Sequence, residues 1–255
     1  MIKRIIPQLL INNKKLVKTR DFKPYKYIGD PINAIKIFNE KEVDELFITD
    51  ITPGLQSNKI DFDFIQSLAE EAFMPISYGG GINSLEDVST LINLGVEKIC
   101  LHNEIFENHH LISSISSKFG NQSIVANINF RLNQNNEISI YNATQKIIYS
   151  KLSLNSFIES IISAGVGEIF LNDTNRDGTL LGLNHNILKE IVDICNLPII
   201  ISGGCSGLED IKQAFKNKAS AVAVGAYFVF YGPHDAVLIS YPERSLIDEV
   251  AFNEL

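Results

Sequence analysis

The 255-residue sequence has no tryptophan, only two methionines and only three cysteines. The cysteines, Cys100, Cys195 and Cys205, stand far apart, and no C-x-x-C pair occurs. That spacing argues against a disulfide framework or a zinc cluster and fits a reducing compartment. Positive charge is in deficit: 22 Lys and Arg against 30 Asp and Glu give a net charge of −8. A general nucleic-acid surface is therefore not expected. No apolar run nears the ~18 residues of a membrane span. The opening run, Met1-Ile2-Lys3-Arg4-Ile5-Ile6-Pro7, is interrupted by Pro7 and is too short for the apolar region of a signal peptide. The chain reads as soluble and cytoplasmic, with no membrane, metal or cofactor implied.

What the chain does have is apolar patterning, with hydrophobic residues at 45%. Eight short β-rich runs recur, at residues 4–10, 45–50, 75–78, 98–102, 123–129, 168–173, 198–202 and 221–225. Most are nearly continuous apolar stretches, as expected of parallel strands buried on both faces. Amphipathic segments lie between them, among them 32–41, 84–94, 156–164 and 208–216. Two carry acids in their first turn, at Glu86-Asp87 and Glu209-Asp210, a helix-start signal. Alternating strand and helix over this length predicts one (β/α)8 TIM barrel spanning residues 1–255, in preference to an open sheet.

An internal repeat refines this. Pro75-Ile76-Ser77-Tyr78-Gly79-Gly80-Gly81 is similar to Pro198-Ile199-Ile200-Ile201-Ser202-Gly203-Gly204, and each is followed by Leu-Glu-Asp. The offset is 198 − 75 = 123. It also joins Glu45-Leu46-Phe47 to Glu168-Ile169-Phe170, and Asp50 to Asp173. The expectation is two similar half-barrels, about 1–120 and 121–240, each of four βα units.

Barrel sites form at the C-terminal ends of strands. Asn175-Arg176-Asp177-Gly178-Thr179 follows the apolar Ile169-Phe170-Leu171, so a carboxylate and backbone N–H groups meet at a strand end. A phosphorylated ligand or a plain turn both fit these five residues. Gly79-Gly80-Gly81 and Gly203-Gly204 fall at strand ends too, where glycine lets backbone N–H groups approach a phosphate. The loops His102-Asn103 and Gly225-Ala226 would complete two phosphate sites on opposite sides of the mouth. Lys18, in the basic loop 14–20, either closes over a ligand or stays solvated.

Taken together, Arg4-Ile5-Ile6-Pro7, Gly29-Asp30-Pro31, Asp44-Glu45-Leu46, Gly79-Gly80-Gly81-Ile82, Gly167-Glu168-Ile169, Arg176-Asp177-Gly178-Thr179 and Ser202-Gly203-Gly204 resemble HisF, the cyclase subunit family of imidazole glycerol phosphate synthase. The resemblance runs from residue 2 to about 230. It implies a class I glutaminase partner, HisH, whose ammonia enters the bottom of the barrel, crosses the interior and attacks a two-phosphate substrate at the top. It implies an ammonia gate at Arg4, Glu45, Lys98 and Glu168, where a structural salt-bridge ring is the plainer alternative. It places phosphate binding at Gly80, Gly81, His102, Asn103, Asp177, Gly178, Gly203, Gly204, Gly225 and Ala226. Hydroxyl donors are missing at His102-Asn103 and at Ala226.

The family uses two aspartates, at the ends of strands one and five, as acid and base. Here they are Leu10 and Asn129, neither of which exchanges a proton near neutral pH. Asp177 and Asp50 remain as carboxylates at matching positions. His102 is open to two readings, an acid–base group or a packed strand-end histidine. Leu10 and the stretch 228–239 are similar to a HisF-like branch associated with sugar amidation in surface-glycan (lipopolysaccharide) synthesis, in which a separate sugar-modifying amidotransferase takes the ammonia. The leading expectation is a HisF-like synthase subunit of a glutamine amidotransferase. The rivals are an ordinary histidine-pathway cyclase, a non-catalytic partner that docks the glutaminase through residues such as Glu97, and a HisA-like isomerase.

Overall fold

The computed structural model describes residues 3–23, 26–52, 59–135, 137–150, 152–232 and 234–252. Among them, eight parallel strands form the core sheet: β1 (Arg4–Asn12), β2 (Leu46–Asp50), β3 (Ile76–Gly79), β4 (Lys98–Leu101), β5 (Ile124–Leu132), β6 (Glu168–Asp173), β7 (Ile199–Ser202) and β8 (Ala221–Val224). Each pairs with the next in chain order, and β8 pairs back onto β1, which closes a barrel. A helix follows each strand: α1 (Pro31–Glu40), α2 (Phe62–Glu71), α3 (Leu85–Asn93), α4 (His109–Phe119), α5 (Leu154–Ala164), α6 (His185–Ile194), α7 (Leu208–Lys216) and α8 (Arg244–Phe252). None of these helices is long and apolar enough to cross a membrane.

Side-chain alternation sorts the strands into two cores. Ile5, Leu9 and Ile11 of β1, Leu46 and Ile48 of β2, and Ile169 and Leu171 of β6 pack outward with the helices. Ile6, Phe47, Cys100, Val125, Phe170, Ile200, Ala221 and Ala223 form a separate cluster in the bore. The sequence of β8, Ala-Val-Ala-Val, places its small residues inside, where the rings of Phe47 and Phe170 need room. Local signals fix the helix starts. Asp30 caps α1 with Pro31 in its first turn, Asp61 caps α2, and Ser84 with Asp87 forms a capping box on α3.

The 123-residue offset reappears in the geometry. It relates α2 to α6, α3 to α7, β3 to β7 and β4 to β8 end for end. It also relates single bonds: Thr52 N–H to the Asp50 carboxylate, 2.9 Å, and Asn175 N–H to the Asp173 carboxylate, 3.0 Å.

Two antiparallel ribbons rise from the mouth where loops were expected. Lys15–Lys18 pairs with the end of β1 and with Lys26–Gly29, so the basic stretch 14–20 is largely strand. Leu16 and Val17 are buried there, and that burial outweighs the solubility of the flanking lysines. β5 runs on to Leu132 and pairs with Ile138–Asn142, which pairs in turn with Ile147–Tyr149.

Candidate functional site

The bottom of the bore is closed by charge. Arg4 bonds Glu45 at 2.5 Å and also bonds Glu168. Lys98 reaches the same two carboxylates, at 3.3 and 2.8 Å. The result is a ring in which cations and anions alternate. Glu45 and Glu168 are related by the repeat offset, whereas Arg4 and Lys98 come from strands whose repeat partners carry no charge there. The buried Ser77 hydroxyl donates to Glu45 at 2.6 Å, which fixes that carboxylate from a third side. The two carboxylates also hold the Arg4 guanidinium above its ordinary pKa, against the opposing effect of its burial.

Above the ring sits the apolar collar. Phe47 and Phe170 meet there with ring centroids 4.5 Å apart. Above the collar the lining turns to amides. Gln8, Asn129, Asn172 and Ser202 lie in or beside this layer, linked by Ser202 Oγ to Gln8 Oε1 at 3.3 Å and Asn172 Nδ2 to Asn129 Oδ1 at 3.0 Å.

His102 stands at the end of β4. One ring nitrogen, Nδ1, lies 2.9 Å from the Asn127 carbonyl, and the other, Nε2, accepts the Ala143 backbone N–H at 3.0 Å. A carbonyl cannot donate and an amide N–H cannot accept, so the ring is the neutral Nδ1–H tautomer. Burial holds its pKa below the ordinary histidine value. Both nitrogens are thus committed to backbone, and the packed strand-end reading of His102 is the one its geometry favours.

At the mouth, the second half of the barrel builds a cradle. Gly203 and Gly204 adopt φ +97° and +90°, and a Cβ on Gly203 would fall 2.5 Å from the Asp173 carbonyl oxygen. Only glycine fits such an approach. Gly80 is its counterpart, at φ +138°, where a Cβ would fall 2.2 Å from the Asp50 carbonyl oxygen. Gln8, Lys18, Asp177, Gly178, Gly203, Gly204, Gly225 and Ala226 all line one pocket at the second site. Lys18 is 7% exposed, and Gly225 leaves the space its ammonium occupies. Asp177 accepts the Thr19 hydroxyl at 2.8 Å, and its carbonyl accepts the Asp21 N–H at 2.9 Å, so the carboxylate anchors the Lys15–Lys18 ribbon over the cradle. Burial pushes the Lys18 ammonium down and the Asp177 carboxyl up, and each charge partly restrains the other.

The remaining expected positions are less gathered. Asp50 lies on the helix-facing side of β2 with Leu46 and Ile48, and burial raises its pKa. It is therefore not brought to the bore. Gly81 and Asn103 flank the mouth of the first half. Asn103 is the residue before the short helix Glu104–Glu107, and its Oδ1 is buried without a partner. Leu10 faces Val17 across the ribbon and is nearly buried, and Asn129 is 2% exposed. Two participants escaped sequence reasoning: the pairing of Phe47 with Phe170, which the repeat offset of 123 would have indicated, and Asn172, which carries no motif.

Comparison with known proteins agrees with this geometry. Residues 4–234 match the family model described as "Histidine biosynthesis protein". A Leptospira interrogans protein, provisionally named imidazole glycerol phosphate synthase subunit HisF, is 42% identical over 245 residues, covering 94% of this chain and 95% of its own. A Pseudomonas aeruginosa protein, provisionally named subunit hisF2 of the same synthase, is 42% identical over 249 residues, covering 96% and 98%. The Clostridium botulinum imidazole glycerol phosphate synthase subunit HisF is 34% identical over 247 residues, covering 97% and 96%. With the barrel, the cradle and relatives matched along nearly their whole length, the chain belongs to the HisF family of histidine-biosynthesis proteins.

Proposed function

We propose that this HisF-like synthase subunit docks a HisH-like class I glutaminase at the N-terminal face of the barrel, receives its ammonia through the charged ring, and passes it to the top face. The observation that carries this reading is the ring of Arg4, Glu45, Lys98 and Glu168. It lies across the bore, and the collar above it is lined by Ile6, Phe47, Cys100, Val125, Phe170, Ile200, Ala221 and Ala223. An apolar path favours neutral ammonia over ammonium, because an isolated ion there loses its hydration.

At the top, the cradle around Lys18, Gly203 and Gly204 suits a phosphorylated small molecule. The ring-closing chemistry of a cyclase is poorly supported. Leu10 and Asn129 stand where an acid and a base are required, and losing one such group typically costs about 10²–10⁴-fold. We therefore place the chain in the sugar-amidation branch, with a separate sugar-modifying amidotransferase consuming the ammonia in lipopolysaccharide assembly.

The test is glutamine-dependent ammonia transfer by the complex with the cognate glutaminase, with Glu168→Ala as control. A wild-type barrel that passes no ammonia sinks the conduit. Imidazole glycerol phosphate formation with ammonia supplied directly tests the branch. Strong turnover that Leu10→Asp does not raise would return the chain to the histidine-pathway cyclases.

One observation favours a second reading, a glutaminase-docking partner with no conduit. Phe47 and Phe170 are in ring contact across the bore and narrow any passage there. That reading expects substitutions in the charged gate to change nothing, while substitution of the exposed Glu97 weakens docking.

A further inference from the structure

The repeat relates Asp210 to Asp87 (210 − 87 = 123), and the two carboxylates bond differently. Asp87 stays within its own turn. It accepts the Asn83 and Ser84 N–H groups at 3.0 and 2.9 Å and closes the capping box of α3. α7 begins after Gly207, which offers no side-chain cap. Asp210 accepts the Ser206 N–H at 2.9 Å and also reaches across to the loop after β6. Its two oxygens accept the Leu183 N–H, at 2.9 and 3.2 Å, and Oδ1 accepts from His185 Nε2 at 2.7 Å. A carboxylate only accepts, so that ring nitrogen carries a hydrogen. The other ring nitrogen, Nδ1, is buried without a partner. An unmade buried hydrogen bond is costly, so the ring is held in place for the bond it does make. The first half has Phe62 at the related position (185 − 62 = 123), with no donor.

The shared carboxylate restrains strained backbone. Gly178, Leu180 and Gly182 have φ of +71°, +59° and +98°. Glycine takes that region freely, whereas a leucine Cβ crowds the following carbonyl. Such a conformation persists only where its surroundings enforce it. Here every backbone polar group of Gly182 and Leu183 is engaged. Gly182 N–H donates to the Gly204 carbonyl at 2.7 Å, and the Leu183 carbonyl accepts the His185 N–H at 3.1 Å. Arg176 donates to both the Gly182 and Leu183 carbonyls, at 3.0 and 3.1 Å. The Leu183 N–H belongs to Asp210. Leu180 lines the pocket of the second cradle with Gly178, Gly203 and Gly204. A Cβ on Gly204 would fall 2.8 Å from the Gly182 carbonyl oxygen, so loop and cradle are in direct contact. The direction of the cradle N–H groups therefore depends on where the loop sits.

We infer that Asp210 and His185 are positioning residues for the second cradle: together they latch the strained loop 178–183 against Gly204 and preorganise the backbone donors that meet an anion. The inference rests on the reading that this cradle takes a phosphorylated small molecule. Neither side chain is among those lining the pocket, so both act through the loop. Preorganisation raises affinity by removing the ordering that binding would otherwise require.

The test titrates the ¹⁵N-labelled full chain with inorganic phosphate and follows the backbone amide signals of Gly203 and Gly204. The wild type should show saturable shifts. His185→Phe copies the first half, keeps a ring and removes the donor. It should weaken phosphate several-fold at both glycines, and Asp210→Ala should weaken it at least as much. His185→Gln returns a donor of similar reach and should recover most of the loss, which packing of the ring alone would not give. Asp87→Ala is the control. It removes the related carboxylate and its helix cap from the first half, and should leave Gly203 and Gly204 responding as in the wild type. The remaining backbone amide signals report whether each variant is folded; if Asp210→Ala is not, the two His185 variants decide. Wild-type affinity in His185→Phe overturns the latch and leaves the cradle reading intact. So does a loss that His185→Gln does not recover, or one that Asp87→Ala matches. No saturable shift in the wild type removes the cradle reading and the latch with it.

Discussion

The ammonium of Lys18 lies so close to Gly225 that a Cβ on that glycine would fall 2.0 Å from Nζ. The overlap involves the end of a flexible side chain, so Gly225→Ala can be accommodated by withdrawing Lys18 without moving backbone. The fold should therefore survive while the cradle loses its cation. A hydrogen bond to a charged group contributes about 1.5–3 kcal/mol, or roughly 10–100-fold in affinity. Calorimetric titration with inorganic phosphate should record a loss of that order in Gly225→Ala, with the thermal midpoint nearly unchanged. An unaltered affinity would place the anion site elsewhere.

The same lysine predicts a pH dependence. Burial lowers the Lys18 pKa below its ordinary 10.5, and a bound anion raises it again. Phosphate binding therefore takes up a proton wherever the free site has already lost one. Affinity should fall as pH climbs past the lowered pKa, by about tenfold per unit at most, and the fall should end at the pKa of the bound state. Arginine stays charged throughout, so Lys18→Arg should lack this alkaline loss. Parallel titrations of the two proteins cancel the ionisation of phosphate itself.

At the bottom of the bore, Glu45→Ala removes a carboxylate shared by Arg4, Lys98 and the Ser77 hydroxyl. Breaking a buried ion network on one side leaves uncompensated charge and costs about 3–5 kcal/mol, against about 0–1 for a solvated surface pair. Urea unfolding of Glu45→Ala should show a loss in the larger range, and Ser77→Ala a smaller one. A change below about 1 kcal/mol would mean that the ring is wet.

How much of this was legible in the chain follows from where each signal resides. β6, at Glu168–Asp173, and α7, at Leu208–Lys216, have the bounds their apolar periodicity indicates. The repeat is legible because related sites face the same steric demand: Gly80 and Gly203 each lie under a strand-end carbonyl that admits no Cβ. The ribbons were not legible. Lysines flank Leu16 and Val17 and obscure their burial, which depends on β1 continuing to Asn12 beside them. Asp50 aligns with a family carboxylate by position, yet strand alternation turns it to the helix layer, and a motif does not encode facing. His102 shows the same limit. Its role was set by Asn127 and Ala143, backbone groups 25 and 41 residues away, about which the local sequence says nothing.

The aromatic contact in the collar separates conduit from docking partner. If ammonia passes Phe47 and Phe170, shortening one ring should ease its passage. Phe170→Leu should raise glutamine-dependent transfer several-fold while leaving the response to directly supplied ammonium salts unchanged. Losing the aromatic pair forfeits only about 0.5–1.5 kcal/mol beyond area burial, so the barrel should stay folded. Equal transfer in Phe170→Leu and the wild type would favour a partner that docks without conducting.

The tautomer of His102 sets an acid limit on stability. Its folded-state pKa lies below the unfolded 6.5 because burial disfavours the imidazolium. As pH falls, the unfolded chain takes up the proton first. The stabilising contribution is thus complete above 6.5, declines below it, and stops declining once pH passes the folded-state value. Protonation at Nε2 would also cost the acceptor used by Ala143 N–H, and with it the tie between β4 and the segment following Ile138–Asn142. A neutral side chain of similar reach cannot titrate. Urea midpoints at neutral pH and at about pH 5 should therefore differ less in His102→Gln than in the wild type. A wild-type midpoint that does not fall between those two conditions would mean that the ring accepts a proton in place, and the acid–base reading of His102 would then be the better one.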